Sequence, residues 1–168
     1  MQKKPLFAAL LLISAVAFNG CGNASSEPVQ AAAAAPKTIS LNNVLKTQYF
    51  DVTVTGFKVA ASIPAVELKA EEGNTFLIID VTIKNTDTES RMMFDGEIVI
   101  NANGKDYTFE QAEIVPEDGY NMIMDNINPL VTKKTKLVYK IPTELTGTAY
   151  YKPGRSENDQ KILLGQTK

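Results

Sequence analysis

Apolar and polar residues alternate along most of the chain beyond residue 38. From Tyr49 to Val59, Val52 and Val54 alternate with Thr53 and Thr55. From Thr75 to Asn85, Leu77, Ile79, Val81 and Ile83 fall on one face, and Asp80, Thr82 and Lys84 fall on the other. A period of two is the mark of a half-buried strand. Phe94–Ala102 reads as a further strand with Ile98 and Ile100 in register. Asn103-Gly104 is a tight-turn signal that leads into Tyr107–Phe109. Thr135–Ile141 turns Leu137, Tyr139 and Ile141 inward and its lysines outward, and Thr148–Lys152 and Lys161–Leu164 complete the series. No stretch after residue 40 shows a 3.6-residue apolar period. The pattern predicts an all-β domain over residues 38–168, a sandwich of about seven or eight antiparallel strands.

The first 37 residues follow a different grammar. Lys3 and Lys4 precede an apolar run from Leu6 to Phe18. The run has the length of a signal-peptide core and falls short of the ~20 residues of a membrane span. Residues 1–20 are therefore expected to be a signal peptide. Phe18-Asn19-Gly20-Cys21 resembles the lipobox of bacterial lipoproteins, with the small Gly20 before the cysteine, Phe18 in place of the usual Leu, and Asn19 in place of a small or β-branched residue. That resemblance implies an acylated Cys21 and cleavage just before it. Ala15-Val16-Ala17 offers ordinary signal peptidase a second site, and cleavage there would leave Cys21 as a free thiol near the new amino terminus. Residues 21–37 carry five consecutive alanines between Pro28 and Pro36 and supply almost no core. They are expected to be a flexible linker, roughly 20–25 Å end to end as a coil. The expected location is outside the cell, anchored by lipid to the cell membrane, or to the outer membrane where the cell has one.

Composition narrows the chemistry. The chain has no His, no Trp and a single Cys. It lacks the usual acid–base group at neutral pH and the commonest metal ligand. A Ser-His-Asp or Cys-His device cannot be assembled, nor can an internal disulfide. The 168 residues include 17 basic and 19 acidic ones; without residues 1–20 the balance is near −4. No basic stripe stands out, so nucleic acid is not an expected partner. The expectation is a non-catalytic protein with no required cofactor.

The run from Asn74 to Pro142 resembles a family of exported bacterial domains of unknown function with a telokin-like, immunoglobulin-type fold, related in shape to an immunoprotective extracellular antigen. Three stretches carry the resemblance: Phe76–Asn85, the Asn103-Gly104-Lys105-Asp106-Tyr107 hairpin, and Asn128-Pro129 followed by Leu137–Pro142. Leu130 stands where the family prefers Gly, and Tyr139 replaces Phe. The resemblance implies an immunoglobulin-like sandwich and, in many members, a lipid anchor. It is nearly silent on activity.

Four groups of residues invite a functional reading. Asn85 precedes the polar loop Thr86–Ser90, a place for a cation or for an amide that satisfies turn backbone groups. The acidic pairs Glu71-Glu72 and Glu117-Asp118 lack the spacing of a calcium loop. Met92, Met93, Met122 and Met124 are soft donors suited to Cu(I), or core fillers. The longest irregular segment, Val115–Pro129, presents Tyr120, Met122, Ile123 and Met124 as an interaction patch if exposed, or docks them in the core. The leading expectation is a binding or protein-interaction module at the cell envelope, held to the membrane through Cys21 and engaging an envelope protein or cell-wall component. The alternative is an exported carrier or sensor of a small ligand or metal ion.

Overall fold

The computed structural model describes residues 38–110, 112–120, 126–156 and 159–168. The expected signal peptide, Cys21 and the linker lie outside the described residues. The chain threads β1 (Thr38–Ser40), β2 (Leu45–Lys46), β3 (Phe50–Ala60), β4 (Ser62–Ile63), a 3-10 turn (Pro64–Val66) and β5 (Leu68–Lys69). There follow β6 (Asn74–Asn85), β7 (Arg91–Met92), β8 (Glu97–Ala102), β9 (Lys105–Phe109) and β10 (Asn126–Ile127). The series ends with β11 (Thr132–Pro142), β12 (Thr148–Lys152) and β13 (Lys161–Gln166). Two main sheets face each other, one ordered β1-β13-β12-β8-β9 and the other β11-β6-β3-β2. The fold is a β-sandwich, and among the described residues no helix is long and apolar enough to cross a membrane.

Period-two alternation builds the space between the sheets. Leu77, Ile79, Val81 and Ile83 of β6 are buried there with Val52 and Val54 of β3 and with Leu137, Tyr139 and Ile141 of β11. The opposite sheet contributes Ile98, Ile100, Ala149, Tyr151, Ile162 and Leu164. Asn103 and Gly104 both adopt positive φ, 52° and 77°, as a tight hairpin of this kind requires.

Three features depart from the sequence expectation. The pair β1–β13 is parallel rather than antiparallel. The strand expected from Phe94 begins only at Glu97, because Gly96 takes φ +83° and turns the chain. Most consequentially, β6 is covered on both faces over its first half. Phe76, Ile78 and Val138 point away from the main core and form a second cluster with Ile63 and Val115. The β4–β5 hairpin and residues 112–120 supply this outer layer. The latter segment also runs along the free edge of β11, where Glu113 N–H donates to Val138 O (2.6 Å) and Lys136 N–H donates to Gly119 O (2.8 Å). An unpaired edge strand is a template for unwanted pairing, and this segment occupies it.

Asn85 closes the far end of β6. Its side chain is fully buried, Nδ2 donates to Ile127 O (2.7 Å) and Glu89 O (2.8 Å), and Oδ1 accepts from Asp87 N–H (2.8 Å). Its backbone carbonyl accepts from Leu130 N–H (3.1 Å). Asn85 therefore satisfies the backbone of two loops at once, as a strand-ending amide should. Leu130 lies in a turn closed by Val131 N–H on Asn128 O (3.1 Å), with Pro129 before it and φ +62°. That conformation is the third position of a type II turn, which favours glycine, so the family's Gly at this place has a physical reason.

Two stability experiments test this account. Ile79→Ala and Ile78→Ala, on opposite faces of one strand, should each cost about 2–5 kcal/mol in urea unfolding, while Thr82→Ala stays within about 0.5. A cost at Ile79 alone would mean the outer layer contributes nothing. Leu130→Gly should raise stability by about 0.5–1 kcal/mol, relief of left-handed strain outweighing the added freedom of the unfolded chain.

Candidate functional site

A concavity lies where three chain segments meet at one end of the five-stranded sheet. It is an open groove of about 560 Å³ between the loop before β8, the stretch after β9 and the turn after β12. Two glycines allow the loops to meet. A Cβ on Gly96 would lie 2.4 Å from Lys152 O, and one on Gly154 would lie 2.6 Å from Phe94 O. Any larger residue at either place would force the backbones apart.

Beneath the groove, two buried phenols hold the floor. Tyr139 comes from β11 and Tyr151 from β12, in opposite sheets. The Tyr151 hydroxyl donates to Asp95 O (2.6 Å), and that of Tyr139 lies within reach of Asp95 O (3.0 Å) and Gly96 O (3.2 Å). Burial, with the Asp95 carboxylate nearby, pushes both phenols well above their ordinary range.

The walls mix exposed apolar surface with charge. Phe94 is 45% exposed and Ile114 70% exposed. Lys152 sits between Glu97 (3.2 Å) and Asp159 (2.9 Å), which hold its ammonium above the usual lysine range. Beside the groove, Arg155 donates from Nε to Met92 O (2.7 Å), with its guanidinium carbon 4.9 Å from the Phe94 ring centre and 6.0 Å from that of Tyr49. Arg91 covers Tyr49 at 4.4 Å and is bound by Asp87 and by Glu89 (3.0 Å). Its hydrogen bond holds the Asp87 carboxyl below the ordinary range. This site stacks cations on aromatic faces, fixes one lysine between two acids, and leaves two apolar side chains open to solvent.

The sequence-based candidates are scattered. Tyr120 is half-buried, packed on the outer cluster that contains Val115, and bridged to Lys136. Met122, Ile123 and Met124 lie outside the described residues, as does Cys21. Met93 is fully buried in the main core, and Met92 is half-buried on β7 opposite Asn126. Among the described residues no three His, Cys, Asp or Glu side chains come together as a metal site would need. The expected interaction segment thus contributes Val115 to the outer layer, while Phe94, Ile114 and Arg155 were not singled out. Their signals were present but faint: an aromatic two residues before Gly96, an Ile114 between Glu113 and Val115, and one of only two arginines behind Pro153-Gly154.

Residues 39–155 match the family model described as "Domain of unknown function (DUF4352)". No curated protein matches the sequence. An uncharacterized β-sandwich protein of Clostridium difficile 630 has a similar structure, with TM-score 0.53 and 16% identity over 77% of this chain and 93% of that one. A conserved hypothetical protein from Bacillus anthracis is similar at TM-score 0.52 and 23% identity, over 77% of this chain and 95% of that one. At these identities the likeness concerns the fold.

The tyrosine pair yields a pH prediction. The unfolded chain releases phenolic protons near pH 10, whereas the folded chain keeps them at Tyr139 and Tyr151. Their contribution is therefore complete below about pH 10 and is lost as pH rises beyond it. Tyr139→Phe should cost about 1 kcal/mol at neutral pH and should make the alkaline fall in stability shallower, as followed by chemical unfolding at several pH values. An unchanged alkaline slope would mean that this phenol ionises freely in the folded protein.

Proposed function

The chain belongs to the DUF4352 family of domains of unknown function, and from that premise we propose that it is a non-catalytic recognition module tethered by lipid on Cys21 to the outer face of a bacterial membrane. The groove at Phe94, Ile114 and Arg155 is its binding face. One observation carries the reading: two exposed apolar side chains and a stacked arginine stand on loops anchored in a rigid sandwich. Binding surfaces on such scaffolds are commonly built from loops, and aromatic and arginine side chains dominate interface energetics. The signal-peptide pattern, the Cys21 motif and the alanine-rich linker support the address, because a linker of this reach would let the domain clear the headgroups. Two or three acyl chains on one cysteine make an effectively permanent anchor, whereas a single chain holds marginally at about 0.8 kcal/mol per buried CH₂.

Both halves of the reading are open to experiment in the producing cell. Cys21→Ser should release the protein from membranes and abolish incorporation of labelled palmitate; an unmodified mature chain beginning at Phe18 would defeat the anchor. A photo-crosslinking residue at Ile114 of the intact lipoprotein should trap one dominant product, lost on Phe94→Ala and absent with the same crosslinker at Tyr107. Equal trapping from both positions would remove the groove as the binding face.

A further inference from the structure

Among the described residues, every cation around the groove except one has an ionic partner. Lys152 is shared by Glu97 and Asp159, and Arg91 by Asp87 and Glu89. Arg155 forms no ion pair with any described residue. It is nevertheless held in place: Nε is committed to Met92 O, and the guanidinium carbon lies over the Phe94 ring at 4.9 Å and 6.0 Å from that of Tyr49. A guanidinium fixed through Nε and by aromatic stacking keeps its two terminal amino groups for an incoming acceptor and loses little further freedom on binding.

We infer that Arg155 is the anion-reading residue of the groove, and that the partner is a protein segment that sets an aliphatic or aromatic side chain on Phe94 and Ile114 and an Asp or Glu carboxylate on Arg155. This rests on the groove being the binding face and names what it binds. The groove is open rather than enclosed, so a lone small anion would gain only one surface contact. A peptide segment adds apolar burial against Phe94 and Ile114, both largely exposed. Carboxylate is favoured over phosphate by the surrounding charge. Glu110 also lines the groove, and its negative charge opposes a near-dianion more than a single charge. Phosphopeptide sites use clusters of arginines; here a single uncompensated one is present among the described residues.

The test begins with the purified lipid-free protein and a displayed library of random peptides. Enriched peptides should carry an acidic residue next to an apolar one. For the best peptide, Asp→Asn or Glu→Gln should weaken binding at least about tenfold, and so should Arg155→Gln, with the two losses not additive, as expected for a direct charge pair. Arg155→Lys should recover only part, because the ammonium lacks the planar fork. Replacing the acid by phosphoserine should not improve affinity. Unchanged melting temperatures of the Arg155 variants separate lost recognition from lost fold. Additive losses, a preference for phosphoserine, or enrichment of peptides without acids would overturn the assignment of Arg155. If such peptides still lose affinity on Phe94→Ala, the groove remains the binding face and only the carboxylate partner is rejected. If no peptide is enriched, or none depends on Phe94, both readings fall.

Discussion

The carbonyl oxygen of Asp95 is the point on which this architecture turns. Two phenols from opposite sheets reach it through the core, Tyr151 at 2.6 Å and Tyr139 at 3.0 Å. A buried hydroxyl without an acceptor costs roughly 1–3 kcal/mol, so each tyrosine constrains the loop to bring that carbonyl to it. The loop, once held, must turn sharply at Gly96 and pass within contact of Lys152 and Gly154. Phe94 is thereby forced out to solvent beside Arg155. An interaction inside the core thus sets the geometry of a surface groove.

The second organising constraint is coverage of the four-stranded sheet. Phe76, Ile78 and Val138 would expose apolar area on its outer face if the fold were a bare two-layer sandwich. The segment 112–120 and the β4–β5 hairpin bury them, and the same segment caps the edge of β11. Its own buried residue, Val115, lies one position from the strongly exposed Ile114. One short stretch therefore anchors inward on one side and lines the groove on the other, which explains how the groove wall is kept rigid without belonging to a sheet.

Electrostatics separate structural charges from available ones. Paired surface charges such as Lys46 with Asp51, 3.1 Å apart, contribute little to stability. At the groove the pairing has another consequence: among the described residues it engages Lys152 and Arg91 and leaves Arg155 as the cation that an incoming carboxylate would meet. A chain with a net negative charge can in this way present a local positive contact without a basic patch.

The amino-acid order by itself determined the strands, because period-two alternation is a local property. Leu77, Ile79, Val81 and Ile83 face the core as that period requires, Thr148–Lys152 is a strand over its full expected length, and Asn103-Gly104 makes the turn that only residues tolerant of positive φ make cheaply. Even Asn85 was legible as a strand-ending amide. The tertiary structure decided the rest. In Phe76-Leu77-Ile78-Ile79 alternation gives way to a continuous apolar run, and which elements would cover the second face depended on segments far away in the chain. Phe94 continues the apolar rhythm of β8 and was read as strand; only the approach of Gly154 and the pull of two distant tyrosines bend it away. The groove joins residues near 94, 114 and 155, and no local spacing encodes that meeting, since it arises from how the strands carrying those loops are ordered in the sheet.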